Sequence, residues 1–179
     1  MNTAQGQITK LAAVLMAASI DGIAEEPSKT RKPEPLQIVV SIPERKLALI
    51  QGGEVVKLYD VAVGKPSTPT PEGKFVVINR IPHPTWYGPQ GAVPPGKNNP
   101  IGTRWMGLSK DGYGIHGTNA PASIGKAASH GCIRMRQQDL EELFDLIPVG
   151  TTVEIETVGF ADLEPPELIT KVFSASDSE

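Results

Sequence analysis

Apolar and polar residues alternate along the central region of the chain. Leu36, Ile38, Val40 and Ile42 fall on one side of an extended segment, and Leu47 and Leu49 mark a second. Gln51-Gly-Gly-Glu54 supplies a hairpin turn into a third strand, Val55–Val63, in which Tyr59, Val61 and Val63 alternate again. Beyond the proline-rich stretch Lys65–Gly73, a further strand is expected over Phe75–Ile81. Pro82–Pro100, with repeated prolines and Gly88, Gly91 and Gly96, reads as a long loop, of a length that in compact domains is functional or disordered. The period changes after Met135. Leu140, Leu143, Phe144 and Ile147 recur at helical spacing, with Asp139, Glu141 and Glu142 toward the helix start and Pro148-Val-Gly150 closing it. Val153, Ile155 and Val158 suggest a last strand, so the pattern describes a β-rich domain with a helix covering its sheet.

The two ends read differently. Lys10 precedes the apolar run Leu11–Ile20, and Gly22-Ile-Ala24 resembles a small-residue cleavage site, so residues 1–24 are expected to form a signal peptide. The apolar run is too short for a stable membrane span. Residues 25–35, charged and proline-containing, suit a linker, and 159–179 form an acidic tail without visible chemistry. The 179-residue length fits one domain, and a net charge of −3 offers no basic footprint for nucleic acid. The single cysteine, Cys132, forbids an intramolecular disulfide.

That cysteine carries the chemistry. His116 and His130 both precede it within one short segment, and a thiol needs such help because it titrates near ~8.5 and is mostly protonated at neutral pH. Gly131 allows a tight turn before Cys132 and leaves adjacent N–H groups uncovered where an oxyanion would form. All three histidines (His83, His116 and His130) precede the cysteine, which argues against papain-like chain order, and no caspase signature surrounds it. Spacing alone does not say which histidine is the base. His130 and Cys132 are neighbours if the segment is extended and are turned apart if Gly131 bends it. His83, between prolines, is expected to be structural or solvent-facing. A rival reading makes His116, His130 and Cys132 zinc ligands, although no HExxH-type helix accompanies them.

Ser129-His-Gly-Cys-Ile-Arg-Met135, preceded by His116-Gly-Thr, resembles the active-site signature of the L,D-transpeptidases, the YkuD-type catalytic domain of bacterial cell-wall enzymes. Val61–Gly73 and Asn99-Pro-Ile-Gly-Thr103 resemble further landmarks of that family, and the likeness runs from about residue 36 to 158. It implies a mainly β, sandwich-like catalytic domain over 36–158 with one or two short helices. It also implies that Cys132 is the nucleophile and His116 the base and later the acid. His130, Ser129, Gly131 and Cys132 would shape the oxyanion site, with the amides of Gly131 and Cys132 as donors, and the Gly117 carbonyl would orient His116. Arg134 is a candidate for binding a substrate carboxylate, and Trp86 and Tyr87 are candidates for lining a groove. Ala122 stands where many relatives carry a bulkier residue.

The implied substrate is a peptidoglycan tetrapeptide stem, cleaved after meso-diaminopimelate with loss of D-alanine. The acyl group would pass to an amine of another stem or of an envelope lipoprotein, or to water as a carboxypeptidase. No metal or organic cofactor is implied, and a monomer working in the periplasm or another extracytoplasmic compartment is expected. A catalytically silent wall-binding module is the non-enzymatic alternative.

Overall fold

Two short strands whose apolar residues lie directly opposite one another begin the domain. A computed structural model describes residues 34–163; the expected signal peptide, the linker up to residue 33 and the tail from residue 164 lie outside the described residues. β1 (Leu36–Ser41) and β2 (Lys46–Gln51) pair antiparallel, with Ile38 opposite Leu49 and Val40 opposite Leu47. All four side chains are buried. Gly52 and Gly53, at φ 60° and 83°, turn the chain into β3 (Glu54–Gly64), as a two-residue hairpin loop requires. The first half of β3 is exposed, and from Tyr59 on it enters the core.

β4 (Gly73–Pro82) is flanked by β11 (Thr152–Glu156), which lies parallel to β1, and by β7 (Arg104–Leu108). β7 pairs with β8 (Gly114–His116), and β8 runs parallel to β10 (Ile133–Met135). β10 also pairs antiparallel with β3, so the path β10-β8-β7-β4-β11-β1-β2-β3 returns to its start. The sandwich-like domain thus takes the form of a closed, barrel-like sheet, and closure leaves β10 without a free edge. β9 (Ala127–Ser129) adds to β3 in parallel.

Ile38, Val40, Leu47, Met106, Ile115, Ile133, Met135 and Ile155 fill the interior. Helix α1 (Gln137–Leu146) buries Leu140, Leu143 and Phe144 against this core, each contributing roughly 1.5–3 kcal/mol of transfer free energy. No basic residue lies in its last turn; instead Arg80 from β4 donates from Nη2 to the Phe144 carbonyl and stacks its guanidinium 4.2 Å from the Phe144 ring centroid.

The structure departs from the sequence expectation in two places. Pro82–Pro100 is partly ordered by a small hairpin, β5 (Trp86–Gly88) and β6 (Gly91–Val93), instead of being loop throughout. The last strand stops at Glu156, and Val158 is 39% exposed, its carbonyl accepting a hydrogen bond from Ser41 Oγ at 2.8 Å.

Candidate active site

The register of β8 against β10 assembles the site. His116 sits opposite Arg134, and Cys132 is the residue before β10 begins, so the two parallel strands deliver an imidazole, a thiol and a guanidinium to one place. The turn leading into Cys132 is built by Ser129. Its Oγ accepts the Gly131 N–H at 3.0 Å and donates to the Cys132 carbonyl at 2.6 Å. Gly131 has φ +114°, and a Cβ there would lie 2.6 Å from the Tyr113 ring, so both conformation and space require glycine. Ser129 is in turn held by the proline-rich stretch after β3, because its carbonyl accepts from Lys65 N at 3.1 Å and Thr68 Oγ1 at 3.3 Å.

His116 is 4% exposed. Its Nδ1 lies 2.6 Å from the Gly117 carbonyl, which makes Nδ1 the protonated nitrogen and leaves Nε2 as the acceptor. Among the described residues no carboxylate contacts the ring, and Asp111 is exposed. Burial, more than any other influence, pulls the imidazole down to about 4, with the Arg134 charge acting in the same direction and the Gly117 bond opposing it. Burial also pushes the Cys132 thiol up, against smaller opposing effects from a Gly114 backbone hydrogen bond and the Arg134 charge. Both shifts favour neutral forms, so the resting pair is a thiol beside an uncharged imidazole. The thiol itself points toward the Gly112 carbonyl at 3.5 Å.

A cavity of about 730 Å³ opens over this pair, lined by Cys132, His116, Ser129, His130 and Arg134 on one side and by Ile81, Trp86, Tyr87, Pro100, Ile101 and Trp105 on the other. The structure thus brings together all the predicted side chains of the site. Gly117 and Gly131 are not among the lining residues; they act behind the wall through their backbones. The two histidines separate clearly, His116 being buried and hydrogen-bonded, His130 exposed at the cavity rim. Arg134 makes no ion pair among the described residues, and its Nε is buried without a partner. Tyr87 is 81% exposed and Trp86 half-buried. His83 is exposed and outside the cavity lining, and Ala122 sits exposed in a short 3-10 turn, Pro121–Ser123, also outside it. Among the described residues no group of three His, Cys, Asp or Glu side chains is placed to hold a metal ion, and no helix is long and apolar enough to cross a membrane.

One expectation is corrected. The Gly131 amide is not an open oxyanion donor, because its hydrogen is already given to Ser129 Oγ. The residue shapes the turn.

Two residues escaped the sequence reading. Trp105 on β7 stacks on His116, and no local pattern announces that contact, which arises from cross-strand register. Asn99 lay within a recognised landmark, but its work is visible only here. It is 1% exposed; its Nδ2 points to the carbonyls of Pro84 (2.8 Å), Val93 (3.3 Å) and Pro94 (3.3 Å), and its Oδ1 accepts the Ile101 N–H at 3.0 Å. It ties the β5–β6 hairpin to the wall that faces the thiol. Asn99→Ala strands these buried groups and is expected to cost about 1–3 kcal/mol in a denaturant melt; an unchanged midpoint would deny the clip its role.

The family model described as the L,D-transpeptidase catalytic domain, YkuD, matches residues 35–155. The chain is 47% identical over 121 residues to the protein named L,D-transpeptidase YkuD in Bacillus subtilis, covering 68% of this chain and 66% of that one. It is 34% identical over 134 residues to ErfK/SrfK of Escherichia coli, of which 43% is covered. The matched region therefore spans about two thirds of the Bacillus subtilis protein and under half of the Escherichia coli one. Among solved structures, a cysteine-to-serine mutant of the Enterococcus faecium L,D-transpeptidase shares 29% identity at a TM-score of 0.59, covering 69% of this chain and 50% of that one. An L,D-transpeptidase from Mycobacterium smegmatis, at 21% identity and a TM-score of 0.59 over 69% of this chain and 59% of that one, shares the fold.

Proposed function

Because the chain belongs to the L,D-transpeptidase family with a YkuD catalytic domain, we propose that it transfers the acyl group of a peptidoglycan tetrapeptide stem through a thioester on Cys132. The observation that carries the reading is the juxtaposition, in one cavity, of a lone thiol and a buried imidazole whose Nδ1–H is held by the Gly117 carbonyl. A histidine so tied presents Nε2 as a base in a single tautomer.

In the proposed reaction Nε2 of His116 takes the thiol proton as Sγ attacks the carbonyl of the diaminopimelate residue. The tetrahedral oxyanion is met by the Cys132 amide, since the Gly131 N–H is committed to Ser129. His116 then protonates the departing D-alanine nitrogen, leaving the thioester. An incoming amine gives its proton to His116, attacks the thioester and releases the thiol. Concentrating charge only on substrate binding suits the neutral resting pair, since a neutral thiol is also less open to oxidation.

Arg134, which lines the cavity and makes no ion pair among the described residues, is the group that fits a stem carboxylate. Arg134→Met is expected to lower kcat/KM for the stem peptide about 10- to 100-fold while slowing alkylation of Cys132 by a small uncharged reagent far less, since only its charge effect on the thiol is lost there. Equal loss with both reagents would show that Arg134 serves the thiol and not the substrate.

The site is completed by one chain, which fits action as a monomer. The substrate also places the work in an extracytoplasmic compartment. The acceptor is an amine of a second stem, a lipoprotein lysine or a free D-amino acid, and water would make the protein a carboxypeptidase. Product analysis after incubation with disaccharide-tetrapeptide decides among them: a cross-linked dimer supports the stem acceptor, tripeptide alone supports water, and untouched substrate supports a silent binding module.

A further inference from the structure

Trp105 on β7 is the direct cross-strand partner of His116, and the two rings stack with centroids 5.6 Å apart and planes 18° from parallel. The stack has been given room: a Cβ at Gly114, on the strand that carries His116, would lie 2.7 Å from the indole ring. Among the described residues His116 has no carboxylate partner, so of the groups shown in contact with its ring, the Gly117 carbonyl and the Trp105 indole are the ones that favour the positive charge it gains on taking the thiol proton. An indole face attracts a cation within about 6 Å, and more strongly where water is excluded.

We infer that Trp105 is a positioning residue that stands in for the missing triad acid, fixing the plane of His116 and stabilising its imidazolium as Cys132 is acylated. This rests on His116 being the base for Cys132. Arg134 is the register partner of His116 on β10 and its charge disfavours the imidazolium, Cys132 and His130 line the same cavity, and Trp105 stacks on the ring from β7. Of these only Trp105 favours the cation in the resting state. Its indole also shields the ring from solvent, so a substitution that admitted water would act in the opposite direction from one that removed only the π-face.

The test is to follow the His116 ring by NMR in the full chain carrying labelled histidine, assigned by its loss in His116→Gln, for the wild type, Trp105→Phe and Trp105→Leu. Leucine keeps an apolar side chain at the position but removes the π-face. The expected result is a lower His116 titration midpoint in Trp105→Leu and acylation of Cys132 slowed about tenfold, chiefly in kcat, with Trp105→Phe near the wild type in both. Fluorinated tryptophan in a Trp86→Phe background weakens the ring's face without changing its shape, and is expected to lower the midpoint in the same direction even where leucine disturbs the fold. An unchanged midpoint under fluorination, or equal losses in the Phe and Leu variants, would overturn the inference. If His116→Gln is acylated as fast as the wild type, it is the base assignment that fails, and the titration still decides whether Trp105 holds the ring.

Discussion

Cys132→Ala is expected to abolish acylation and turnover, a loss of about 10⁴-fold or more, while the protein melts at an essentially unchanged temperature. The size of the effect follows from the chemistry: this is the chain's only thiol, and no other side chain lining the cavity is a comparable nucleophile, since the Ser129 hydroxyl is committed to the Cys132 carbonyl and the Gly131 amide. The small cost to stability follows from its setting. Cys132 is only partly buried, and its polar contact is a long one, 3.5 Å to the Gly112 carbonyl. Activity measured by D-alanine release and stability measured by a thermal melt separate the two effects. Residual turnover near the wild-type rate would remove the cysteine from the mechanism.

His116→Ala is expected to slow acylation about 10²- to 10⁴-fold, and His130→Ala less than about tenfold. The distinction is geometric, one ring being buried and tied to Gly117 and the other exposed at the rim. A second signature comes from pH. His116 is held at about 4 in the folded protein against an ordinary 6.5, so below 6.5 the unfolded chain binds a proton that the native state refuses. Stability is therefore lost as pH falls from about 6.5 toward 4, by roughly 3 kcal/mol from this group, and levels off below. His116→Gln removes that contribution, and a denaturant series across the window measures it. The activity of the free enzyme should likewise persist to lower pH than an ordinary histidine allows. Equal kinetic losses at His116 and His130, or a wild-type acid limb near 6.5, would contradict the assignment.

Much of this was legible in the sequence because it depends on local pattern. Ile38, Val40, Leu47 and Leu49 mark the core-facing positions of two strands, and Gly52-Gly53 supplies the positive φ of the turn into the third. Leu140, Leu143 and Phe144 reveal α1 by spacing alone. What escaped depends on contacts far apart in the chain. β7 reads Arg-Trp-Met-Gly-Leu, with Trp105 apolar toward the cavity and Met106 and Leu108 apolar toward the core, so binary alternation is blurred where a strand serves two apolar environments. β9 and β10 are three residues each, too short to show a period, and β10 is fixed only by its two partners.

The site shows the same division. Cys132 and its glycine were evident, and where spacing alone left the two histidines equivalent, the structure separates them by the burial of His116 and the exposure of His130. The capture of the Gly131 amide by Ser129, two residues away, was within reach of local reasoning about serine side chains at turns. That Arg134 has no ion pair among the described residues depends on contacts far apart in the chain; Asp60, for example, is taken by Lys46 and Arg136.

The central claim, a covalent acyl-enzyme on Cys132, is tested most directly by the intact mass of the full chain after brief exposure to disaccharide-tetrapeptide. The account predicts an adduct of the stem acyl group lacking its terminal D-alanine, located on the peptide containing Cys132, released by hydroxylamine as a thioester is, and missing in Cys132→Ala. Substrate consumed without any such adduct under rapid quenching, or the same adduct formed by Cys132→Ala, would contradict it.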